Sequence, residues 1–315
     1  MWCAVGMDHR RLGLVLHPTR DVSPVVDTIV DWAGRQGVAL AVRAEDRHRV
    51  PPGVEALPPG ALAAACDALI SIGGDGTMLG ALRSAVADPK PVLGVHLGKL
   101  GFLVEVQAPE LPGALDRLAA GDFTVETHSC LACDVCGDNI VAFNDVALVR
   151  RPGQGFVAAT LAVDGQQYGY YRCDALVVST PMGSTAYSYA AGGPLVSPAT
   201  QAVVVTPSAP MAGISRSVVL SPGEAVRLEL RPDSAPAVVE MDGMVIREAA
   251  TEGELHIRYR RDAGLVVRLD ARRYQERNQL KLSLLDLPLL PEQLRELLPE
   301  NLRRQLDRRD LPPPR

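Results

Sequence analysis

The pentapeptide Gly73-Gly74-Asp75-Gly76-Thr77 combines three glycines, a carboxylate and a hydroxyl. Glycines let backbone N–H groups approach an anion closely, and a helix N-terminus directly after them favours phosphate. Apolar residues precede the turn (Ala68, Leu69, Ile70, Ile72) and follow it at helical spacing (Met78, Leu79, Leu82, Val86). That pattern is a buried strand, a tight turn and a helix start. A phosphate cradle with an acid in its middle suits phosphoryl transfer to a hydroxyl. The rival reading is a plain β–α turn whose Asp75 or Thr77 caps the helix. The turn lacks the lysine of a Walker A loop, so it is not a P-loop.

A second cluster with chemical potential is HSCLACDVC, where His128 lies near Cys130, Cys133 and Cys136. Structural zinc sites usually pair two separated ligand knuckles, and no second knuckle occurs. The apolar neighbours instead suggest a strand whose cysteines are small core hydrophobes, and no metal ligand set is expected. The other cysteines are Cys3, Cys66 and Cys173. Disulfides are not expected in a reducing cytoplasm.

These residues must be positioned by a chain of 315 residues, long enough for two domains with separate cores. Its net charge of −5 argues against nucleic acid as the main partner, and 4% aromatic residues against stacking platforms for single strands. No apolar run approaches the roughly 18 residues that span a bilayer. The N-terminus has neither the basic start nor the long apolar centre of a signal peptide. The cytoplasm is the expected compartment, with no membrane partner.

From the N-terminus, Leu12 to Leu16 reads as a strand. A helix capped by Asp21 or Ser23 follows from Pro24 and ends at Gly37; Val38 to Val42 is the next strand. Residues 44–60 are polar, hold four prolines and are expected to form a surface loop. Strand 68–72, helix 77–87 and strand 92–95 lead to a second glycine-bearing turn, His96 to Phe102. A helix over about 109–120 and a strand near 123–127 close the segment. Alternating strands and helices predict a parallel sheet with ligands at the carboxyl ends of its strands, where both glycine turns fall. Beyond Cys130 the segments 139–150, 156–163, 175–180, 202–206, 217–220, 225–230, 237–241, 244–248, 254–260 and 264–269 are short and β-rich, the mark of an all-β sandwich or similar. Residues 180–198 interrupt them with small and hydroxylated residues. An amphipathic helix is expected at 291–306.

The motifs in order are Gly73–Thr77, Gly94–Phe102, Asn144-Asp145, Ser179–Pro194 (STPMGSTAYSYAAGGP) and Asp242-Gly243. As a set they resemble the NAD kinase family, over roughly residues 10–285. The long Ser179–Pro194 match separates the chain from the lipid kinases that share GGDGT. The resemblance implies an α/β Rossmann-like N-terminal domain (1–127), an all-β, sandwich-like dinucleotide-binding domain (128–272) and a tail (273–315) returning to the α/β domain. It implies phosphorylation of the adenosine-ribose 2′-hydroxyl of NAD by ATP, with Mg2+ or another divalent cation, no tightly bound organic cofactor, and assembly as a homodimer or homotetramer.

Carried over residue by residue, Asp75 matches the general base, flanked by Gly74 and Gly76 near the ribose. Asn144 and Asp145 match the pair that holds the sugar hydroxyls, which an amide and a carboxylate can satisfy together. Arg172 and Asp174 match a pair near the nicotinamide half. Thr185, Ala186, Tyr187, Ser188 and Ala190 match the loop around the adenine, and His96, Met211, Asp242 and Met244 fall at further pocket positions. Several positions depart from the family pattern: His96 replaces Asn, Met182 Thr or Ser, Ala190 Ser, Met211 His, Ser217 Pro and Met244 Gln. Removing hydrogen-bond partners at a nucleotide site weakens or redirects recognition. Two rivals therefore stand beside an NAD kinase: a GGDGT kinase for another nucleotide, nucleoside or metabolite, and a non-catalytic dinucleotide-binding regulator.

Overall fold

Strands covered by helices on both faces need nearly continuous Val, Ile and Leu, and the first third of the chain supplies them. The computed structural model describes residues 11–98, 101–135, 137–248 and 253–270. It begins with β1 (Arg11–Leu16), α1 (Ser23–Gln36), β2 (Ala39–Arg43), β3 (Glu55–Leu57), α2 (Leu62–Ala65), β4 (Ala68–Gly73), α3 (Asp75–Ser84), β5 (Pro91–His96), β6 (Val106–Gln107) and α4 (Leu111–Ala119). The strands lie in the order β3-β2-β1-β4-β5, all parallel. The order reverses between β1 and β4, and the GGDGT turn leaves β4 at that switch point, where open α/β sheets bind ligands.

Two local expectations change. The helix α1 ends at Gly37 in a left-handed conformation (φ 69°), as a glycine permits, but its N-cap is Val22 without a side-chain bond. Asp21 instead accepts the Ser23 N–H at 2.9 Å. Residues 44–60 are not simply a surface loop. They form a 3₁₀ turn (Ala44–Arg49) and β3, which completes the sheet edge, because Val50, Val54 and Leu57 are buried beneath them.

The remaining elements are β7 (Thr124–Val135), β8 (Asp138–Ala142), β9 (Asp145–Arg150), β10 (Val157–Val163), β11 (Gln166–Cys173), β12 (Ala175–Ser179), α5 (Tyr187–Ala190), β13 (Val203–Ser208), β14 (Ala212–Gly213), β15 (Val218–Leu220), β16 (Val226–Leu230), β17 (Ala237–Met241), β18 (Met244–Glu248) and β19 (Glu254–Arg268). An antiparallel sheet in the order β15-β13-β12-β9-β17-β18 faces β10, β11, β16 and the first half of β19. Val146, Leu148, Leu176 and Val178 from one sheet share an apolar core with Val157, Leu161, Leu228 and Ile257 from the other. This is the expected α/β region followed by a β-sandwich. The strand β11 was not foreseen, since Gln166–Cys173 has only Tyr171 and Cys173 buried.

The expected strands 254–260 and 264–269 are one strand of 15 residues, irregular in register between Arg260 and Gly264. Its start pairs with β16 and its end runs parallel to β5, while β7 accompanies it throughout. These two long strands join the α/β sheet to one sheet of the sandwich. Cys130 and Cys133 lie buried on β7, where burial pushes their thiols up to about 11 and about 12. They are core residues, as their apolar neighbours suggested. Cys3, Cys136 and the helix expected at 291–306 lie outside the described residues.

Candidate active site

The carboxyl end of β4 delivers Asp75. Gly74 is the extended N-cap of α3 and Asp75 its first residue, with no side-chain capping bond. Capping is therefore not what Asp75 does. Its Oδ2 accepts the Phe102 N–H at 2.7 Å and its Oδ1 the Leu103 N–H at 3.0 Å. The second glycine turn thus closes over the first. A Cβ on Gly101 would fall 2.0 Å from Asp75 Oδ1, so only glycine admits this approach. A carboxylate offers about four lone-pair positions, and two remain for a substrate hydroxyl. Around Gly74 and Gly76 nothing lies within 4 Å of an added Cβ, which leaves open space beside the acid. At the end of β5, His96 Nδ1 is 3.0 Å from the Gly98 carbonyl oxygen. Its Nε2 is buried and has no hydrogen-bond partner among the described residues.

Asn144 and Asp145 form the turn between β8 and β9. They are held by Asp242, in the β17–β18 hairpin at φ 47°, whose side chain is 1% exposed. One Asp242 oxygen accepts the N–H of Asn144 at 2.7 Å and of Asp145 at 3.3 Å; the other accepts the Phe143 N–H at 3.2 Å and the Arg83 guanidinium of α3. Asp242 thus clamps the Asn144-Asp145 turn. The Asp145 carboxyl is pushed up to about 7, by burial first and then by the Asp242 charge, with Glu240 adding; the Tyr187 N–H it accepts opposes the shift. Arg83 went unnoticed in the sequence because its partner is 159 residues away.

The 179–194 stretch docks on the same turn. Thr180 donates its N–H to the Asn144 carbonyl at 2.9 Å and its hydroxyl to the Phe143 carbonyl at 2.6 Å. A Cβ on Gly183 would sit 2.0 Å from that Asn144 oxygen. Met182 to Thr185 make a 3₁₀ turn closed by the Thr185 hydroxyl on the Met182 carbonyl, 3.1 Å. Ala186 follows, and α5 presents a half-buried Tyr187 and an exposed Ala190. Ser188 is different: it is fully buried, with its hydroxyl 3.0 Å from Thr206, which lies 3.1 Å from Ser217. That internal chain places Ser188 under the loop.

Arg172 and Asp174 are engaged elsewhere. Arg172 pairs with Asp233 and lies over the Phe156 ring at 5.0 Å. Arg150 holds Asp174 at 2.7 and 3.2 Å, and its hydrogen bonds and charge keep that carboxyl below the usual range. Met211 is 58% and Met244 43% exposed, whereas Met182 packs against the core of α3. Among the described residues no three His, Cys, Asp or Glu are grouped to hold a metal ion.

Comparison with known proteins finds relatives over both halves of the chain. Residues 58–123 match the ATP-NAD kinase N-terminal domain and residues 143–269 the ATP-NAD kinase C-terminal domain. The NAD kinase of Desulforamulus reducens is 32% identical over 238 residues, 74% of this chain and 83% of that protein. The NAD kinase of Heliobacterium modesticaldum is 40% identical over 182 residues, 56% of this chain and 64% of that protein. In fold, the crystal structure of yeast NADH kinase complexed with NADH matches with a TM-score of 0.76, at 21% identity over 90% of each chain. With both domain models matched and a relative of this identity aligned over most of its length, the chain belongs to the ATP-NAD kinase family.

Proposed function

We propose that this protein is an NAD kinase, transferring the terminal phosphate of ATP to the 2′-hydroxyl of the adenosine ribose of NAD to give NADP. The observation that carries this reading is the junction itself. A carboxylate fixed at the N-terminus of α3 stands at the same seam as the Asn144-Asp145 turn, with Arg83 and Asp242 linking the two. Asp75 orients the hydroxyl and accepts its proton late in a loose transition state, for which a weak base suffices. Asn144 and Asp145 hold the ribose hydroxyls, and Thr185, Ala186 and Tyr187 line the adenine side. Arg172 and Asp174 serve the nicotinamide half once Asp174 exchanges Arg150 for the carboxamide.

The triphosphate takes the open space beside Gly74 and Gly76. Mg2+ usually keeps several waters and binds through substrate phosphates, so it would arrive with ATP and leave the two free acceptor positions of Asp75 to the substrate hydroxyl. Bound with ATP, the ion would neutralise charge on the transferring phosphoryl group. In this reading residues 1–127 are the α/β domain and 128–272 the dinucleotide-binding domain; the tail expected at 273–315 lies outside the described residues. The protein works in the cytoplasm, consistent with the free thiols of Cys66, Cys130, Cys133 and Cys173. It assembles as a homodimer or homotetramer, for which the exposed Val245 and Ile246 on the edge strand β18 offer apolar surface.

Incubation with ATP, magnesium and NAD, with NADP detected by an NADP-specific dehydrogenase, tests the reading. NADP formation supports it, and folded protein that yields none at millimolar NAD overturns it. The exposed Met211 and Met244, at positions where the family has polar residues, favour a second reading in which another hydroxyl is phosphorylated. ADP release across a panel of nucleotides and nucleosides separates the two.

A further inference from the structure

The helix α3 starts at Asp75 and, two turns on, presents Arg83, which leaves the helix for the β17–β18 hairpin. One guanidinium nitrogen binds Asp242; the other lies 3.8 Å from the Met244 sulfur. The Asp242 side chain is 1% exposed, so its charge cannot rely on water, and the Arg83 side chain is 17% exposed. Asp242 in turn collects the N–H groups of Phe143, Asn144 and Asp145. A buried carboxylate that has lost its cation is strongly unfavourable, so the pair resists being pulled apart. Phe143 supplies a parallel apolar tie: its fully buried ring shares a core with Met78, Leu79 and Leu82 of α3. Neither Arg83 nor Asp242 has a side-chain atom within 4 Å of a Cβ added at Gly74 or Gly76.

We propose that Arg83 and Asp242 form a positioning strut, which sets the register between the helix that carries Asp75 and the turn that carries Asn144 and Asp145. The ribose hydroxyl held by the turn thereby arrives at the base on the helix. This rests on the NAD kinase reading. Misplacement by about 1 Å costs on the order of 10²-fold in rate, so a strut of this kind governs kcat more than substrate affinity. It also has an electrostatic side. The groups that face Asp145 are Asp242 and Glu240 on the hairpin and Tyr187 on α5, through its N–H and its phenol. Arg83 offsets the Asp242 charge. Without Arg83, ionisation of Asp145 is displaced to higher pH; without the Asp242 charge, to lower pH.

The test compares wild type, Arg83→Met, Arg83→Lys and Asp242→Asn as full chains, in steady-state kinetics with NAD and ATP between pH 6 and 9. Arg83→Met is expected to lower kcat by about 10- to 100-fold with KM for ATP within about twofold. The acid limb of kcat/KM for NAD should move up in Arg83→Met and down in Asp242→Asn. A role confined to stability would not give these opposite signs. Arg83→Lys keeps the charge and should leave the limb in place, with kcat within about fivefold of wild type. Should Arg83→Met fail to fold, the limb positions in Arg83→Lys and Asp242→Asn decide. Wild-type kcat in Arg83→Met, or limbs moving in the same direction in both charge-removing variants, overturns the strut. A wild type that makes no NADP overturns the kinase reading instead, and the strut with it.

Discussion

Asp75 accepts two backbone N–H groups from Phe102 and Leu103, which fixes the plane of its carboxylate before any substrate arrives. An asparagine would keep the shape but lose the charge and the ability to take a proton. Asp75→Asn should therefore lower kcat by at least about 10²-fold while the Kd for NAD, read by calorimetry, stays within about threefold. Near-normal turnover in that variant would remove the base role. Asp145 makes a prediction of a different kind. Its carboxyl, raised to about 7 chiefly by burial and then by Asp242, is protonated below neutrality and charged above it. The charged form accepts hydrogen bonds from a diol, so kcat/KM for NAD should rise with pH through about 7 and then level off. Asp145→Asn should give a lower, flat profile; a limb that survives the substitution would assign it to another group. Both residues stand out in the sequence as candidates because glycine turns and an Asn-acid pair are local patterns. The raised ionisation of Asp145 does not, since it depends first on burial in the folded chain and then on a carboxylate 97 residues away.

The elements place these residues through close backbone contacts that only glycine allows. The Ser184 hydroxyl accepts the Val196 N–H at 3.0 Å, tying the 179–194 stretch to the residues just after it, and Gly183 presses on the Asn144 carbonyl. Gly183→Ala should cost about 1–3 kcal/mol in urea unfolding and raise KM for NAD, because the atom it meets is backbone and cannot swing aside. Unchanged KM with unchanged stability would show that the loop and the Asn144 turn are not in register. Periodicity located most strands and helices to within a few residues, α1, β4, α3 and β5 among them. It failed at β11, whose outward tyrosines mask the alternation, and at residues 44–60, where the prolines obscured three buried apolar anchors. It also split β19 at Asp262, a local left-handed residue (φ 50°) that interrupts the register without ending the strand.

Across the whole molecule, β7 and β19 join the α/β sheet to one sheet of the sandwich, and Arg268 at the end of β19 fastens them to the turn that holds Asp75. Its guanidinium is 2% exposed as a residue, bonds Glu126 of β7 at 2.6 Å and donates to the Leu103 carbonyl at 2.9 Å, next to the N–H that holds Asp75. For Glu126, burial alone would raise the carboxyl, but the His128 hydrogen bond and the charges of His128 and Arg268 outweigh it and bring it down to about 2 from 4.5. A depressed acid contributes stability above its unfolded value and loses it as pH falls through the folded one. The stability difference between wild type and Glu126→Gln should therefore be largest at neutral pH and shrink as pH falls from about 4.5 towards 2, measured by urea unfolding. A difference independent of pH would show that the ion pair contributes nothing. The sequence by itself determined the α/β order, the β-rich second half and the family, and singled out Asp75, Asn144 and Asp145 as candidates, because these follow from neighbours a few residues apart. Only the tertiary structure decided which groups hold them: Phe102 and Leu103 on Asp75, Asp242 and Arg83 on the Asn144 turn, Arg268 on the seam. Such contacts join positions up to 165 residues apart, and chain spacing carries no signal at that distance.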